Sequence, residues 1–431
     1  MPPIEDHPLR YQLANELHAR PFPVVTPPAT VVYLAIKQPT QAISRDRAAD
    51  LAHLTDLLDR HGAPHPQPGA THYSGRIGRH VLKWEQHTEF VTYTAMSEGL
   101  SERPFDPGDF DVFPADWLDR APGQRITSIA IRVAARPADD GINAALADWF
   151  VAESTAVSHV LDDAAVAAGD FRIDPAGNMR FAVFVTEGTG QRRVGRVVQR
   201  LCEIETYKAM SMLGFSRARA LAPKIDALDA RLLGLMTDMS GGNSPADQTL
   251  TRLLSISAEL ETLAARGAFR FGATGAYEAL VNQRIASLRE GWFQGRQSFG
   301  DFMARRYEPA MRTVKSTETR LQALADRAMR AGELLRTRVD VERSGQNQAL
   351  LASMDRRADL SLRLQHTVEG LSVVAISYYA VSLASYLLYP VGELGGLSKG
   401  TLTAALVLPV ALAVWAGVRR VRRRLEGGAG H

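Results

Sequence analysis

Three side chains that could bind a cation or a small acid lie close together in KWEQHTEF, residues 83–90. They are Lys83, Glu85 and His87. Side chains two residues apart in an extended strand point to the same face, which would place Glu85 and His87 together with Lys83 beside them. The alternative, which we favour on sequence grounds, is charge pairing with a neighbouring strand.

A second candidate lies in ELHARPF, residues 16–22. If Glu16 and His18 met Glu85 and His87 in one pocket, the four side chains could supply the acid and base groups of a membrane-tethered enzyme. The sequence contains no HExxH motif and no paired Cys/His spacing. We therefore expect no enzyme activity and no cofactor, and we keep an unidentified divalent cation as the alternative.

Glycines and arginines combine in GTGQRRVGRVVQR, residues 188–200, ahead of a predicted helix. The amide groups of a helix N-terminus could hold an anion there. The segment lacks the lysine and Ser/Thr of a phosphate-binding loop, which argues against a nucleotide site. We predict instead that Arg192, Arg193, Arg196 and Arg200 form a solvated helix face.

The amino-acid composition limits the classes of protein to which the chain can belong. The 431 residues include 50 basic and 47 acidic side chains, and 45% of them are hydrophobic, which is typical of a globular protein and gives no reason to expect nucleic-acid binding. The single cysteine, Cys202, excludes an intramolecular disulfide and favours a reducing compartment. The first residues lack a signal-peptide pattern, so we expect the N-terminal domain to stay in the cytoplasm.

The first half of the chain predicts a mixed α/β domain. Helices are expected at residues 11–19, where prolines follow, and at 45–61, where leucines share one face. A third is expected at 142–160 and another before Asp170. The expected strands are residues 30–36, 80–86, 89–95, 126–134 and 179–185.

From Val194 onward the pattern is helical, with expected breaks at Pro223, 241–245, 267–275 and Pro309. No proline occurs between Pro309 and Pro390, which predicts one very long helix. Apolar residues at spacings of three and four predict that its first part packs against other helices. These residues are Leu321, Leu324, Ala328, Ala331, Leu335 and Val339. The predicted fold class is therefore α+β.

We divide the chain into seven parts by composition. They are an N-terminal signature segment (1–35), a cytoplasmic α/β domain (36–190), a helical region (191–308), a long stalk helix (309–370), a first transmembrane helix (371–390), a second transmembrane helix (401–418) and a basic tail (419–431).

Two stretches near the C-terminus are apolar enough to cross a bilayer. Residues 371–388 and 401–418 carry no charge, and each is close to the length that a bilayer core requires. Arginines precede the first stretch and follow the second, so the positive-inside rule places both termini in the cytoplasm of a bacterial inner membrane. The alternative is a buried hairpin in a soluble helical domain.

On a helical wheel the first stretch gathers hydroxyls and small side chains on one side. Hydroxyls at helix contacts can form interhelical hydrogen bonds, whereas hydroxyls facing lipid are poorly satisfied. We therefore expect a homo-oligomer in which this face either packs against other copies or lines a water-filled pore. The residues of the face are Ser372, Ala375, Tyr378, Tyr379, Ser382, Ser385, Tyr386 and Tyr389.

Three segments closely resemble one bacterial family, known as domain of unknown function 3422. They are HPLRYQLANELHARPFP (7–23), KWEQHTEFVTYT (83–94) and a long segment over 337–387 that begins TRVDVERSGQNQALL. The resemblance spans nearly the whole chain and implies no activity. The residues that we take as its signature are His7, Asn15, Glu16, His18, Arg20, Lys83, Glu85 and His87.

The architecture is also similar to that of the CorA-type magnesium channels. In that family a cytoplasmic α/β domain precedes a very long helix that becomes the first span, and five copies line a pore. The family ends its first span with Gly-Met-Asn, whereas this chain has Tyr389, Pro390 and Val391 there. No selectivity residue can therefore be carried over.

Two functional hypotheses follow from the sequence. The first is an oligomeric inner-membrane protein of CorA-like architecture that conducts a cation. The alternative is a non-conducting membrane scaffold or sensor whose cytoplasmic domain binds a partner or a small ligand of unknown identity. In both, the partners are the membrane and other copies of the chain.

Overall fold

The computed structural model describes residues 4–16, 22–40, 45–241, 245–394 and 398–426. The chain divides into two compact units, Met1–Gly332 and Glu333–His431. The first contains both helices and strands, so the predicted mixture of α and β structure is confirmed.

The first unit is built on a nine-stranded sheet with the order β2-β3-β4-β1-β5-β8-β7-β6-β9. The pairing of β5 with β8 is parallel, and the other pairings are antiparallel. The strands are β1 (Ala29–Lys37), β2 (His72–Ile77), β3 (His80–Gln86), β4 (Phe90–Glu98), β5 (Gln124–Ala135), β6 (Ala156–Val160), β7 (Ala165–Ile173), β8 (Met179–Val185) and β9 (Gly291–Trp292).

The helices of the described residues are α1 to α9. They are α1 (Arg10–Glu16), α2 (Arg47–Arg60), α3 (Ala115–Asp119), α4 (Asp139–Trp149), α5 (Gln191–Gly241), α6 (Ala246–Leu288), α7 (Phe299–Arg306), α8 (Glu308–Leu394) and α9 (Lys399–Glu426).

The sheet is covered on both faces. All nine residues of β1, ATVVYLAIK, are buried, as expected of a strand with protein on each side. On one face Leu54 and Leu58 of α2 pack with Trp84 and Trp117. The other face meets α5, where the Tyr33 hydroxyl and Thr206 Oγ1 are 2.8 Å apart. The polar side chains of α5 therefore lie directly over the sheet.

Helices α5 and α6 pack closely against each other. A Cβ added at Gly214 of α5 would lie only 2.0 Å from Thr274 Oγ1 of α6, so a residue without a side chain is needed at this contact. Both helices are longer than predicted. Helix α5 continues through Pro223, with Leu221 and Ile225 buried on either side of it, and α6 continues through residues 267–275. The two predicted breaks are therefore wrong, because packing overrides local helix propensity.

The strand predictions were incomplete in the second half of the sheet. The helix expected at 142–160 ends at Trp149, because Ala156–Val160 is the strand β6. The helix expected before Asp170 is the strand β7. Strand β9 lies beyond Val194, where no strand was expected, and it pairs with β6. The alanine-rich sequence of β7 favours helix locally, but its burial and its pairing with β6 and β8 decide for a strand.

The second unit contains α9 and the greater part of α8. Helix α8 has 87 residues and continues through Pro390. By length and composition, α8 and α9 can each cross a membrane, since their most apolar windows have mean hydropathies of 1.7 and 2.0. Leu321, Leu324 and Ala328, in the first unit, are buried as the apolar repeat predicts.

A buried charge cluster ties the turn between β3 and β4 to α6. Glu89 is 2% exposed. Its carboxylate forms an ion pair with Arg270 and accepts a hydrogen bond from the Tyr277 hydroxyl at 3.1 Å. Lys37 Nζ lies 4.0 Å from the same carboxylate, and its pKa is lowered by burial and by Arg270. Removing the carboxylate would leave two cations facing each other.

We predict that Glu89→Gln lowers the stability of the first unit by about 3 to 5 kcal/mol, because it leaves buried cations without a counter-charge. The measurement is the shift of the thermal unfolding midpoint of the full-length protein in detergent. Glu259→Gln is the control, because its ion pair with Arg231 is about half exposed and should contribute less than about 1 kcal/mol. Equal effects of the two substitutions would contradict the prediction.

Candidate functional site

A cavity of 310 Å³ lies in the first unit between the sheet and the helices α5 and α6. Strands β1, β3 and β4 form its floor, and α5 supplies much of the opposite wall. Lys83, Glu85 and His87 all line it. The other described residues around it are Phe22, Pro23, Tyr33, Phe90, Thr92, Thr94, Val198, Gln199, Arg200, Cys202, Glu203, Thr206, Tyr207 and Arg284.

The alternation of β3 explains how Lys83 and Glu85 come to face the cavity. Leu82 and Trp84 enter the core beneath α2, so the residues next to them point to the other face. Lys83 Nζ lies 3.2 Å from Glu85 Oε2, with the side chains 9% and 13% exposed. The cross-strand neighbours of Lys83 are Ser74 and Thr94. Lys83 therefore does not form the expected cross-strand charge pair, because its ion pair with Glu85 runs along one strand.

A chain of polar contacts crosses the cavity from the sheet to α6. Lys83 donates to Gln199 Oε1 at 3.0 Å, and Gln199 Nε2 donates to Glu203 Oε1 at 2.8 Å. Glu203 also forms an ion pair with Arg284. The partly buried charges of this chain satisfy one another, which keeps them in place where water is scarce.

His87 lies at the end of β3, and its ring stacks on Phe90 with centroids 4.4 Å apart. Arg45 fixes the turn here, since its NH2 group donates to the His87 carbonyl at 2.5 Å and its Nε to Asp50 Oδ2 at 2.7 Å. The backbone of the turn is thus held from the core side, and His87 lines the cavity.

The segment that we call the strap, residues 22–26, closes one side of the cavity. Phe22 and Pro23 line it, and the Val25 amide donates to the Gln191 carbonyl at 3.3 Å. A Cβ added at Gly195 of α5 would lie 1.8 Å from the Pro23 carbonyl oxygen. Gly195 therefore permits the strap to lie directly on α5. As a result, two signature segments that are distant in sequence, 7–23 and 83–94, line one cavity.

The arginines at the start of α5 are only partly a solvated face. Arg193 forms a surface ion pair with Asp162, and Arg200 donates to the Ser287 carbonyl at 2.7 Å. Arg196 is half-buried and lines a second cavity, of 930 Å³, together with the exposed Arg192. The predicted solvated face is thus wrong for Arg196 and Arg200, because α5 lies across the sheet and turns them towards protein.

The remaining signature residues are not brought to this site by the described structure. His7 is exposed, and its Nδ1 accepts from the Leu9 amide at 3.2 Å. Asn15 and Glu16 belong to α1, but their side chains lie outside the described part of the chain, as do His18 and Arg20. Of the proposed acid and base quartet, Glu85 and His87 share the cavity, and the arrangement of Glu16 and His18 stays a prediction.

Three polar residues of the site are not among the candidate residues predicted from the sequence: Gln199, Glu203 and Arg284. Gln199 and Glu203 are four residues apart and therefore on one helix face, a spacing that was available in the sequence. The pairing with Arg284 was not, because it depends on the packing of α6 against α5.

The hydroxyl face of α8 is largely exposed in the second unit. The side chains of Tyr378, Tyr379 and Tyr386 are each about 70% exposed. Ser372 and Ala375 are exposed as well, and Ser382 Oγ donates to the Tyr378 carbonyl at 2.9 Å. The buried side of the helix is different, since it contains Val381 and the hydroxyl oxygen of Ser385. The side chain of Tyr389 is outside the described residues.

The described part of the chain contains no group of three or more His, Cys, Asp and Glu side chains arranged to hold a metal ion. His53 shows how a core histidine is used instead, because its Nδ1 and Nε2 lie 3.0 Å from the Tyr93 hydroxyl and 3.1 Å from the Trp117 carbonyl oxygen.

These features define a class of protein: a mixed α/β domain with a polar cavity beside its sheet, followed by two helices apolar enough to cross a membrane. The family model described as "Protein of unknown function (DUF3422)" matches residues 5–425. The chain belongs to this family, as the resemblance of its three segments indicated. A comparison with curated proteins finds no significant match.

Cys202 offers a chemical test of the cavity wall. Its side chain is buried, and burial followed by the charge of Glu203 raises the pKa of the thiol far above its usual range. A raised pKa favours the neutral thiol in the folded state, so this contribution to stability is present below the unfolded pKa of about 8.5 and falls as the pH rises above it.

We predict that Cys202 in the folded full-length protein reacts with a thiol reagent at pH 8 at least about 100-fold more slowly than in the denatured chain, because the thiolate is the reactive form. The release of chromophore from a disulfide reagent measures the rate. Cys202→Ser is the control and should give no signal. Similar rates in the folded and denatured protein would contradict a buried, protonated thiol.

Proposed function

We propose that the protein is a membrane-anchored binding protein whose N-terminal α/β domain holds a small molecule in the cavity at Lys83, Glu85 and His87. One observation carries this proposal: two separate signature segments of the family, 7–23 and 83–94, contribute Phe22, Pro23 and these three residues to one cavity. A purely structural role would not require both segments to border the same space.

The properties of the cavity support ligand binding. Its volume of 310 Å³ is at the lower end of the range of small-molecule pockets. Charged groups in it are positioned by one another, as in the chain from Lys83 through Gln199 to Glu203. Because these groups are largely shielded from water, their interactions with a ligand would be stronger than those of exposed charges. The wall is therefore organised before a ligand arrives.

The apolar helices support the anchor. The uncharged windows of α8 and α9 satisfy the length and hydropathy of a bilayer span. Arg356, Arg357 and Arg363 precede the first span, and further arginines from Arg419 follow the second. The positive-inside rule then favours both termini in the cytoplasm of the bacterial inner membrane.

We further propose that copies of the chain associate through the hydroxyl face of α8. Tyrosine and serine side chains on an exposed helix face within a membrane gain hydrogen bonds of about 0.6 to 2 kcal/mol each when they meet another helix. Tyr379 and Ser382 lie on this face, whereas Leu387 belongs to the aliphatic side.

A second candidate function is an oligomeric cation channel with CorA-like architecture. The exposed hydroxyl face of α8 favours it, because polar side chains from several copies could line an axial path. Residues 371–388 and 401–418 contain no carboxylate, so an ion would have to be coordinated by hydroxyl and carbonyl oxygens alone. We prefer the binding protein, since the cavity involves more of the signature residues.

We predict that Tyr379→Ala combined with Ser382→Ala lowers the mass of the detergent-solubilised assembly, because hydrogen bonds between helices are lost. Light scattering after size-exclusion chromatography measures the mass, and Leu387→Ala is the control and should leave it unchanged. In proteoliposomes that contain a divalent-cation dye, we expect no cation flux through the wild-type protein, the double variant or Leu387→Ala. A flux well above that of empty vesicles would favour the channel instead.

We predict that some members of a panel of small acidic, neutral and basic metabolites raise the thermal unfolding midpoint of the full-length protein, because a ligand that binds only the folded state stabilises it. The double variant Lys83→Met and Glu85→Gln should lose this rise. Replacing both members of the ion pair avoids leaving one charge buried alone.

The matched control for this experiment is Arg231→Met with Glu259→Gln, which removes an exposed ion pair between α5 and α6. It should keep the full ligand-induced rise. The proposal fails if no compound stabilises the wild-type protein, or if the double variant at Lys83 and Glu85 responds as the wild type does.

A further inference from the structure

The two cavities described above meet at Lys83. The smaller one, of 310 Å³, and the larger one, of 930 Å³, share Phe22, Pro23 and Lys83 as lining residues. The strap therefore borders both spaces, and one ligand could extend from one into the other.

Positive charge exceeds negative charge on the described walls of these cavities. The cationic residues are Lys83, Arg192, Arg196, Arg200 and Arg284, and the carboxylates are Glu85, Glu98 and Glu203. Two of the carboxylates are already engaged within the walls, since Glu85 pairs with Lys83 and Glu203 pairs with Arg284. Little negative charge is left for the other arginines.

Arg196 is a cation of these walls with a buried, unsatisfied donor. Among the described residues, its buried Nε atom has no hydrogen-bond partner and its guanidinium forms no ion pair. A guanidinium carries five N–H donors, and a buried donor that bonds to nothing is unfavourable. The side chain lines the larger cavity, as the shared residue Lys83 does. An acceptor in that cavity would satisfy it.

The arginines around Arg200 repel one another. Burial lowers the pKa of Arg200, and the guanidinium groups of Arg196, Arg284 and Arg289 lower it further, whereas Glu203 opposes them. Such a group of like charges is stabilised when an anion enters between them. Arginine also suits this task because its planar fork matches the oxygens of carboxylate and phosphate groups.

The smaller cavity is suited to an apolar or aromatic body. Phe22, Tyr33, Phe90 and Tyr207 line it beside the polar chain. Rings prefer to pack against such side chains with their edges or faces offset. A volume of 310 Å³ accommodates a molecule of one or two rings.

We infer that the ligand carries an oxyanion group, a carboxylate or a phosphate, which Arg196 and Lys83 bind at the junction of the two cavities while a small apolar or aromatic body occupies the smaller one. This inference rests on the proposed binding function and specifies the chemical class of the ligand. The two anions share the same recognition chemistry, so the experiment must separate them.

A series with one aromatic body and different head groups tests the inference. Benzoate and phenyl phosphate carry the two anions, benzyl alcohol is neutral, benzylamine is cationic, and inorganic phosphate provides a head group without the ring. Isothermal titration calorimetry with the full-length protein in detergent measures their dissociation constants. We expect benzoate or phenyl phosphate to bind at least about tenfold more tightly than the neutral and cationic compounds, since hydrogen bonds to charged groups are the stronger ones. The tighter of the two anions identifies the head group.

Variants on one helix locate the anion. Arg196→Gln should weaken binding of the preferred anion about 10- to 100-fold, the range expected for a charge-assisted hydrogen bond. Arg196→Lys keeps the charge without the planar fork and should have an intermediate effect. Arg219→Gln is the control, because Arg219 lies exposed on the same helix and does not line either cavity. It should bind as the wild type does.

Three results would overturn the inference: benzyl alcohol or benzylamine binding as tightly as both anions, neither anion binding, or Arg196→Gln and Arg196→Lys both binding the anion with unchanged affinity. The unfolding midpoint without ligand shows whether each variant is folded. If Arg196→Gln is not folded, the affinity of Arg196→Lys for the anion decides the outcome. A neutral compound whose binding is lost in the Lys83→Met and Glu85→Gln double variant would preserve the proposed function while ending the inference about the anion.

Discussion

The packing of α5 across one face of the sheet is the contact on which the other features of the first unit depend. It covers β1 and brings Thr206 to the Tyr33 hydroxyl. It also converts the exposed face of β3 into the wall of a cavity, because Gln199 and Glu203 project from α5 towards Lys83. Without α5, Lys83 and Glu85 would be surface residues on an ordinary strand.

The same packing changes the electrostatic behaviour of the charges it covers. Exposed ion pairs contribute little because water and salt screen them. The ion pairs that the packed helices cover are shielded from water. Examples are Glu89 with Arg270 and Glu203 with Arg284. The first of these clusters is closed on itself by the Tyr277 hydroxyl. The cavity is less complete, since Arg196 has a buried donor that no described residue satisfies.

The strap and the close helix contacts show how small residues permit this arrangement. Gly195 allows the Pro23 carbonyl to lie against α5, and Gly214 allows Thr274 of α6 to approach. A side chain at either position would have to displace backbone or a packed neighbour. The structure gives each of these glycines a close contact that the local sequence pattern does not indicate.

The two apolar helices and the cavity depend on different properties of the sequence. The apolar windows of α8 and α9 are defined by composition alone. Tyr378, Tyr379 and Tyr386 of α8 are exposed, whereas Val381 and the Ser385 hydroxyl oxygen are buried, which is why we propose that the tyrosines contact other copies. The membrane-spanning role and the association remain parts of the proposed function, and they do not depend on the ligand of the cavity.

The sequence by itself determined the family, the mixture of α and β structure, the strands β1, β3, β4, β5 and β8, and the two apolar helices, because each rests on a local pattern or on continuous motifs. It did not determine β6 and β7; the alanine-rich β7 becomes a strand only through pairing with β6 and β8. The tertiary structure alone decided that Lys83 reaches Gln199 and that Phe22 lines the same cavity. Such contacts join residues far apart in the chain, and their energies depend on burial that no local pattern records.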